Sequence, residues 1–247
     1  MKIFPLIFVA LFACEVHPIH RVSSPTANED ARDSVFKLNV SSEIDLTSLK
    51  ESFADEEIPE SIKLSSSGTA WVVKNTNKDA YLVTAGHVCG GDVYHSDIGD
   101  FPMKSSYIVE PASGKLKIKA DLVKSDANLD LCLLHVDYDI GIKLEFASAD
   151  PVYGAEVEYI GEAGGIWGGG ISPIYKGLFS GRGDLWKNGN ECLTITMSLA
   201  GGASGSPLLY GGKVIGVITD MANNFHGIGT AVPWNVVKKF VDASIIK

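Results

Sequence analysis

The sequence is poor in basic residues and concentrates them nowhere along the chain. Lysine and arginine number 21 against 30 aspartates and glutamates, a formal net charge of −9 at pH 7 over 247 residues. A nucleic-acid-binding surface needs Lys and Arg gathered on one face, because contacts with phosphate supply much of the affinity. The composition argues against a nucleic-acid partner, and we expect none.

Cysteine is also scarce, with four residues in the chain. No pair of them has the spacing of zinc ligands, so we expect no metal ion, and no sequence feature implies an organic cofactor. Cys14 belongs to the N-terminal segment, which leaves Cys89, Cys132 and Cys192. Three thiols form at most one internal disulfide.

No apolar run is long enough to span a bilayer. The N-terminal "MKIFPLIFVALFAC" has one lysine and an apolar run over residues 3–13, whereas a spanning helix needs about 20 residues. This pattern is typical of a secretory signal. The last four residues resemble a bacterial lipobox with Cys14 as the lipidated residue, although Phe12 stands where a small residue is usual. We expect an exported protein, periplasmic or extracellular, whose contact with a membrane is a lipid anchor at Cys14.

The rest of the chain divides into segments of different composition and hydrophobic patterning. Residues 15–30 mix Pro, Ser, His and charge without periodicity, which is typical of a tether. The acidic stretch over 41–66 favours a solvated loop or a short helix such as "LTSLKESF". From residue 68, short segments rich in Val, Ile, Leu, Tyr and Thr end at Gly, Asn, Asp or Pro, as in antiparallel sandwiches or barrels. Only the C-terminal "PWNVVKKFVDASI" has helical spacing.

Three separated segments carry the residue types of a serine hydrolase. His87 lies just after one apolar, strand-like run, Asp130 lies at the start of another, and Ser204 lies in the glycine-rich "GGASGSP". A serine hydroxyl needs a base such as imidazole, which a carboxylate holds in the correct tautomer. The order His, Asp, Ser, with separations of 43 and 74 positions, is that of the chymotrypsin-like fold rather than of subtilisin or the α/β-hydrolases.

These motifs and their surroundings resemble the trypsin-like serine peptidases, and among them the HtrA/Deg-type protease domain without a PDZ module. The resemblance covers about residues 33–241 and rests on the following stretches: "GTAWVV", "YLVTAGHV", "YGAEVEYIGEAGG", "GGASGSPLLYGGKVIGVITD" and "GIGTAVPWNVVKKF". It implies an all-β, chymotrypsin-like fold of two antiparallel six-stranded β-barrels with a C-terminal helix. The boundaries we expect are these: signal peptide and lipobox 1–14, tether 15–30, peptidase domain 31–247, N-terminal barrel about 31–145, C-terminal barrel about 150–232 and C-terminal helix 233–243.

The resemblance implies a role for each site residue. His87, Asp130 and Ser204 would form the catalytic triad, and the amides of Gly202 and Ser204 the oxyanion hole. The substrate-binding positions would be the following: Ser198, Thr219, Asp220 and Met221. Because Ser198 replaces the aspartate that gives trypsin its preference for basic residues, we do not expect cleavage after Lys or Arg.

Three further positions bear on regulation and specificity. Ala203 stands where trypsin-like zymogens carry an aspartate that pairs with a newly cut N-terminus, so that activation switch is absent. His226 either favours an acidic substrate residue, as in glutamyl endopeptidases, or is an exposed loop histidine. Cys89 and Cys132 each follow a triad residue by two positions. A bridge between them would lie near the active centre if the segments adjoin, and buried unpaired cysteines are the alternative.

We therefore expect a secreted or lipid-anchored serine endopeptidase that acts as a monomer on protein or peptide substrates through an acyl-enzyme. Two alternatives stay open: a small-ester hydrolase, and a catalytically silent binding module with the trypsin fold. A free edge strand at 219–221 would favour peptides as substrates.

Overall fold

The structure is a computed structural model that describes residues 29–52, 57–187, 190–222 and 227–245. The predicted signal peptide, Cys14, most of the predicted tether and His226 lie outside the described residues. Within the described ranges, no helix combines the length and the apolar character needed to cross a membrane.

Seven strands build the N-terminal half of the fold. They are β1 (Val35–Asp45), β2 (Ser61–Asn75), β3 (Ala80–Ala85), β4 (Val93–Ser96), β5 (Gly99–Glu110), β6 (Ile118–Asp126) and β7 (Leu131–Val136). Six of them follow the order β1, β2, β3, β7, β6, β5, and antiparallel pairing of β1 with β5 closes the ring. Strand β4 extends this barrel as a hairpin with β5. Apolar side chains alternate along the strands, so one face of each fills the barrel interior.

The C-terminal half forms a second closed barrel. Its strands are β8 (Glu156–Ile160), β9 (Ile174–Lys187), β10 (Asn190–Met197), β11 (Pro207–Tyr210), β12 (Lys213–Met221) and β13 (Ile228–Pro233). They close in the order β10, β13, β12, β11, β8, β9. The two six-stranded antiparallel barrels confirm the predicted chymotrypsin-like fold class.

The helices are short except for the last one. They are α1 (Glu29–Arg32), α2 (Thr47–Ser52), α3 (Gly86–Cys89) and α4 (Trp234–Ile245), with a 3₁₀ turn over Ala163–Gly165. Helix α4 begins just after Pro233 and buries Val237, Phe240 and Val241 in an apolar cluster that both barrels share. This cluster joins the two barrels. The predicted C-terminal helix is confirmed.

The acidic stretch over 41–66 differs from the prediction of a loop or short helix. Helix α2 is present, but β1 continues to Asp45 and β2 begins at Ser61, so the two strands pair as one long antiparallel hairpin. The reason is a small apolar cluster outside the barrel, in which Ile44 and Phe101 are buried. Alternation puts the intervening charges on the exposed face of the hairpin.

Candidate active site

His87 reaches the site because β3 passes directly into the single turn of α3. The apolar strand β3 is buried, and Gly86 lets α3 approach the start of β7 closely. A Cβ at Gly86 would lie 2.9 Å from the Leu131 nitrogen and 3.0 Å from the Asp130 carbonyl carbon. Glycine at this position therefore allows the His87 and Asp130 segments to meet.

Asp130 holds the imidazole of His87 from the inner side. Its Oδ1 accepts a hydrogen bond from the His87 backbone N–H at 2.8 Å, and both carboxylate oxygens lie 3.1 Å from His87 Nδ1. Since an ionised carboxylate only accepts, Nδ1 carries the proton and Nε2 keeps its lone pair. The Asp130 side chain is only 9% exposed, whereas the His87 side chain is 48% exposed and lines the cavity.

Asp130 adopts a conformation that few side-chain-bearing residues take. Among the non-glycine residues that the structure describes, it alone has a positive φ, +53°. A left-handed residue costs about 1–2 kcal/mol, and aspartate is one of the residue types that tolerate it. This backbone conformation sets the direction of the carboxylate at the mouth of β7.

A disulfide closes the back of the same corner. Cys89 at the end of α3 and Cys132 in β7 are bonded to each other, and Cys192 is a free thiol. Of the two interpretations that the sequence leaves open, the structure thus has the bridge near His87 and Asp130. It ties the two segments together two residues beyond each of these side chains.

We expect removal of this disulfide to destabilise the fold substantially. The bond closes a sequence separation of 43 residues, for which loop-closure entropy gives about 4 kcal/mol. The Cys89→Ala/Cys132→Ala variant should lose about that much free energy of unfolding in urea titration. Cys192→Ala is the matched control and should change it by less than about 1 kcal/mol. Equal stability of both variants would contradict the expectation.

Glycines shape the loop that presents Ser204. Gly202 and Gly205 have φ values of +93° and +87°. A Cβ at Gly205 would lie 2.1 Å from the Thr69 carbonyl oxygen, and one at Gly202 would lie 2.3 Å from the Glu162 carbonyl oxygen. Both positions therefore require glycine for conformation and for space. The Thr69 N–H also donates to the Ser204 carbonyl at 2.9 Å, which anchors the Ser204 loop to the first barrel.

Two amides of this loop remain available to an external acceptor. The N–H of Ala203 donates to a carbonyl of the same loop at 3.1 Å, and the N–H of Gly205 donates to β12 at 2.7 Å. In the described parts of the chain, the N–H groups of Gly202 and Ser204 donate to no backbone carbonyl. Paired, unengaged amides flanking a nucleophile are what an oxyanion hole needs.

A cavity of about 270 Å³ joins these parts. His87 and Ser204 both line it, and three of the predicted substrate-binding residues line it further along β12: Thr219, Asp220 and Met221. The remaining wall is mostly apolar and includes Leu199, Ala200, Ala203 and Ile218.

Leu199 lines this cavity, whereas its neighbour Ser198 is not among the lining residues. Ser198 is exposed and does not line the cavity, and its carbonyl accepts a 3.0 Å hydrogen bond from Tyr159. Burial raises the pKa of the Tyr159 phenol, so the phenol stays protonated and donates. Leu199 is 8% exposed, and its Cδ1 occupies the space where a Cβ of Gly229 would be, 2.0 Å away. Leu199 therefore lines the cavity and packs closely against Gly229.

Asp220 has a local partner within the cavity. Its Oδ1 accepts a hydrogen bond from the Met221 N–H at 2.8 Å. The amide at this end of β12 is therefore engaged by a carboxylate, while the cavity surface beside it remains open.

Sequence reasoning missed the residues that contact the loop around Gly202 and Ser204 from the side of the first barrel. Thr69 Oγ1 donates to the Gly202 carbonyl at 2.9 Å and accepts from the Glu162 N–H at 3.0 Å. Glu162 pairs in turn with Lys37 at 2.8 Å. The motifs "GTAWVV" and "IGEAGG" contain two of these residues, but no local pattern indicates that they meet. In the described residues, no cluster of three or more His, Cys, Asp or Glu side chains could hold a metal ion.

Comparison with known proteins agrees with this geometry. A family model described as "Trypsin-like peptidase domain" matches residues 68–217, more than half of the chain. The protein therefore belongs to the family of trypsin-like peptidase domains.

Two curated relatives match this chain at low sequence identity. The chain is 28% identical over 141 residues to the mitochondrial protease Do-like 12 of Arabidopsis thaliana, covering 54% of this chain and 28% of that protein. It is 27% identical over 187 residues to the uncharacterized protein y4bJ of Sinorhizobium fredii, covering 72% and 26%. The chain thus spans about a quarter of the length of these curated relatives.

Two solved structures share the fold at low identity. The HtrA-type protease AlgW, solved with a tripeptide, superposes with a TM-score of 0.65 at 22% identity, covering 88% of this chain and 62% of that one. The active form of the Rv3671c protease from M. tuberculosis gives a TM-score of 0.61 at 20% identity, covering 87% and 82%. Both likenesses support the double-barrel fold.

Proposed function

We propose that this chain is a serine endopeptidase that hydrolyses peptide bonds through an acyl-enzyme. One observation carries the proposal: His87, oriented by Asp130 through Nδ1, lines the same cavity as Ser204. A weak nucleophile beside a base in a fixed tautomer is the arrangement that acyl transfer requires.

In the proposed mechanism, His87 Nε2 takes the proton of Ser204 Oγ as the oxygen attacks the scissile carbonyl. Asp130 stabilises the imidazolium that forms, and the N–H groups of Gly202 and Ser204 bind the oxyanion. His87 then donates its proton to the leaving amine, which leaves an ester on Ser204. Water attacks this ester by the same steps in reverse and releases the acid.

Two features favour a peptide over a small ester as the substrate. The cavity extends from Ser204 along the end of β12 to Met221, and an extended peptide can lie beside a strand in this way. The HtrA-type protease AlgW, which shares this fold, has been solved with a tripeptide.

Casein and a peptide library, assayed beside p-nitrophenyl acetate, separate the three candidate functions. We expect cleavage of casein and peptides by the wild-type chain, with loss of cleavage in its Ser204→Ala variant. Hydrolysis of the ester alone would support a small-ester hydrolase. Tight binding of peptides without any turnover would support a binding module and contradict the proposal.

The apolar side chain of Leu199 in the cavity wall leads us to expect a small apolar residue on the acyl side of the cleaved bond. Leu199 lines the cavity and packs closely against Gly229, so we propose that its side chain limits the size of the substrate side chain. We expect cleavage after Ala or Val, and we expect Leu199→Ala to raise kcat/KM for Leu or Phe at that position about 10-fold or more. Leu178→Ala, which removes a half-exposed leucine of β9 away from the cavity, is the control and should leave the preference unchanged. An unaltered preference in Leu199→Ala would contradict this assignment.

We also propose that the chain is exported and works as a monomer, with lipidation at Cys14. The Cys89–Cys132 disulfide supports export, because such bonds persist in oxidising compartments. Fractionation of cells that express the full chain or its Cys14→Ser variant tests the anchor, and the variant should move from the membrane to the soluble exported fraction. Size-exclusion chromatography of the purified chain tests the monomer.

A further inference from the structure

A buried ion pair lies behind the residues that present the nucleophile. Lys37 Nζ lies 2.8 Å from Glu162 Oε1, and the two side chains are 23% and 3% exposed. Lys37 belongs to β1 of the first barrel, whereas Glu162 follows β8 of the second. The proposed catalytic steps do not use either charge directly, and burying a carboxylate this completely is costly unless it is paired.

Glu162 packs directly against the oxyanion loop, which we define as residues 201–205. A Cβ at Gly202 would lie 2.3 Å from the carbonyl oxygen of Glu162 and 2.8 Å from its Oε2. Two residues further along, the Gly164 N–H donates to the Gly201 carbonyl at 2.8 Å. The segment that begins at Glu162 therefore both packs against the loop and binds its backbone.

The bond to Gly201 fixes the direction of a catalytic amide. The carbonyl of Gly201 and the N–H of Gly202 belong to one peptide group, and no cis peptide bond is present in the described residues. In a trans peptide these two groups point in opposite directions. Because Gly164 holds the carbonyl, the N–H of Gly202 points away from Gly164.

Thr69 holds the next peptide group in the same way. Its Oγ1 donates to the Gly202 carbonyl at 2.9 Å and accepts from the Glu162 N–H at 3.0 Å. The two peptide groups that flank Gly202 are thus both held by partners whose positions depend on Glu162. Glu162 Oε2 has no hydrogen-bond partner among the described residues, which leaves Lys37 as the neighbouring cation that compensates its charge.

We propose that the Lys37–Glu162 ion pair is a positioning element that aims the Gly202 amide into the cavity and so keeps the oxyanion hole assembled. This inference rests on the proposed function. In trypsin-like zymogens, an aspartate at the position of Ala203 pairs with a newly cut N-terminus. In this chain, the permanent Lys37–Glu162 pair between the barrels would take over that positioning role. The chain needs no cut N-terminus for this, because both charges are already part of the fold.

The test compares charge-removing and charge-keeping variants of the full chain. Lys37→Met leaves the Glu162 carboxylate buried without compensation, so the carboxylate and the segment after it should shift. We expect kcat on a peptide substrate to fall about 10- to 100-fold with KM changed by less than about 2-fold, since the oxyanion forms only after binding. Lys37→Arg keeps the charge and should retain kcat within about 3-fold.

A transition-state-like inhibitor distinguishes positioning from general damage. A peptide aldehyde forms a tetrahedral adduct whose oxyanion uses the Gly202 amide, whereas the same peptide with a reduced scissile bond does not. Lys37→Met should weaken the aldehyde in proportion to its loss of kcat and leave the reduced peptide unaffected. Lys176→Met is the matched control, because its 2.9 Å pair with Glu156 is half-exposed on the second barrel. It should leave both inhibitors and kcat unchanged.

Full kcat in Lys37→Met, or equal weakening of both inhibitors, would overturn the inference. Should Lys37→Met fail to fold, Glu162→Gln gives the same comparison, because Lys37 can then turn toward solvent. An inactive wild-type chain would instead contradict the proposed function, so the two failures are distinguishable.

Discussion

Replacing Ser204 by alanine is expected to lower turnover of a peptide substrate by about 10⁶-fold. In the proposed mechanism the hydroxyl forms the acyl-enzyme, and the remaining amides and binding contacts account only for residual hydrolysis. Steady-state assays on a peptide with Ala on the acyl side of the cleaved bond measure the loss of turnover. Circular dichroism and thermal unfolding should show a fold like the wild type, because Ser204 contributes its backbone carbonyl, not its side chain, to the bond with Thr69.

Ser206→Ala is the matched control for this substitution. Ser206 lies two residues further along the chain and is fully buried, and its Oγ has no hydrogen-bond partner among the residues described. Its loss should leave turnover within a few-fold of wild type. If Ser204→Ala retained more than a hundredth of the activity, or if Ser206→Ala abolished it, the assignment of the nucleophile would be wrong.

Asp130→Asn is expected to lower kcat by about 10⁴-fold. Asp130 Oδ1 accepts from the His87 backbone N–H, and an asparagine oxygen would keep that bond. Its NH₂ group would then face Nδ1 and make Nδ1 the acceptor, which places the proton on Nε2. An imidazole with its proton on Nε2 cannot take one from Ser204.

The fold should tolerate this change, since asparagine accepts a positive φ as readily as aspartate does. Asp126→Asn is the control, because Asp126 caps the turn before β7 through the N–H groups of Asn128 and Leu129. We expect it to leave kcat nearly unchanged. A loss of less than 10-fold in Asp130→Asn would mean that the carboxylate does not orient the base.

Local signals in the sequence predict antiparallel strands and the three triad candidates, whereas the double barrel follows from the resemblance to trypsin-like peptidases. Alternating apolar residues mark single strands, and His87, Asp130 and Ser204 each lie in a short motif with its own turn chemistry. Their order along the chain then selects one arrangement among the known triads. Helix α4 is predictable for the same reason, since its apolar face repeats with helical spacing.

Features that depend on how distant segments pack could not be predicted. Lys37 and Glu162 are 125 positions apart and meet only because the two barrels pack against each other. The sequence left the Cys89–Cys132 bridge open, since it forms only if α3 reaches β7. Leu199, which the sequence reasoning did not name, lines the cavity one position after the predicted Ser198.

The length of the β1–β2 hairpin could not be predicted for a different reason. Charges dominate the composition of the acidic stretch, so the buried Ile44 is easily overlooked. Alternation that continues through charged residues still builds a strand when one face finds an apolar partner.

Labelling with a fluorophosphonate probe tests the central claim most directly, because the reaction needs an activated serine, its base and the oxyanion site together. The wild-type chain should be modified once, and peptide mapping should place the phosphonyl group on Ser204, with labelling lost in Ser204→Ala and retained in Ser206→Ala. Modification of a different serine, or no labelling of the folded wild-type chain, would contradict the account.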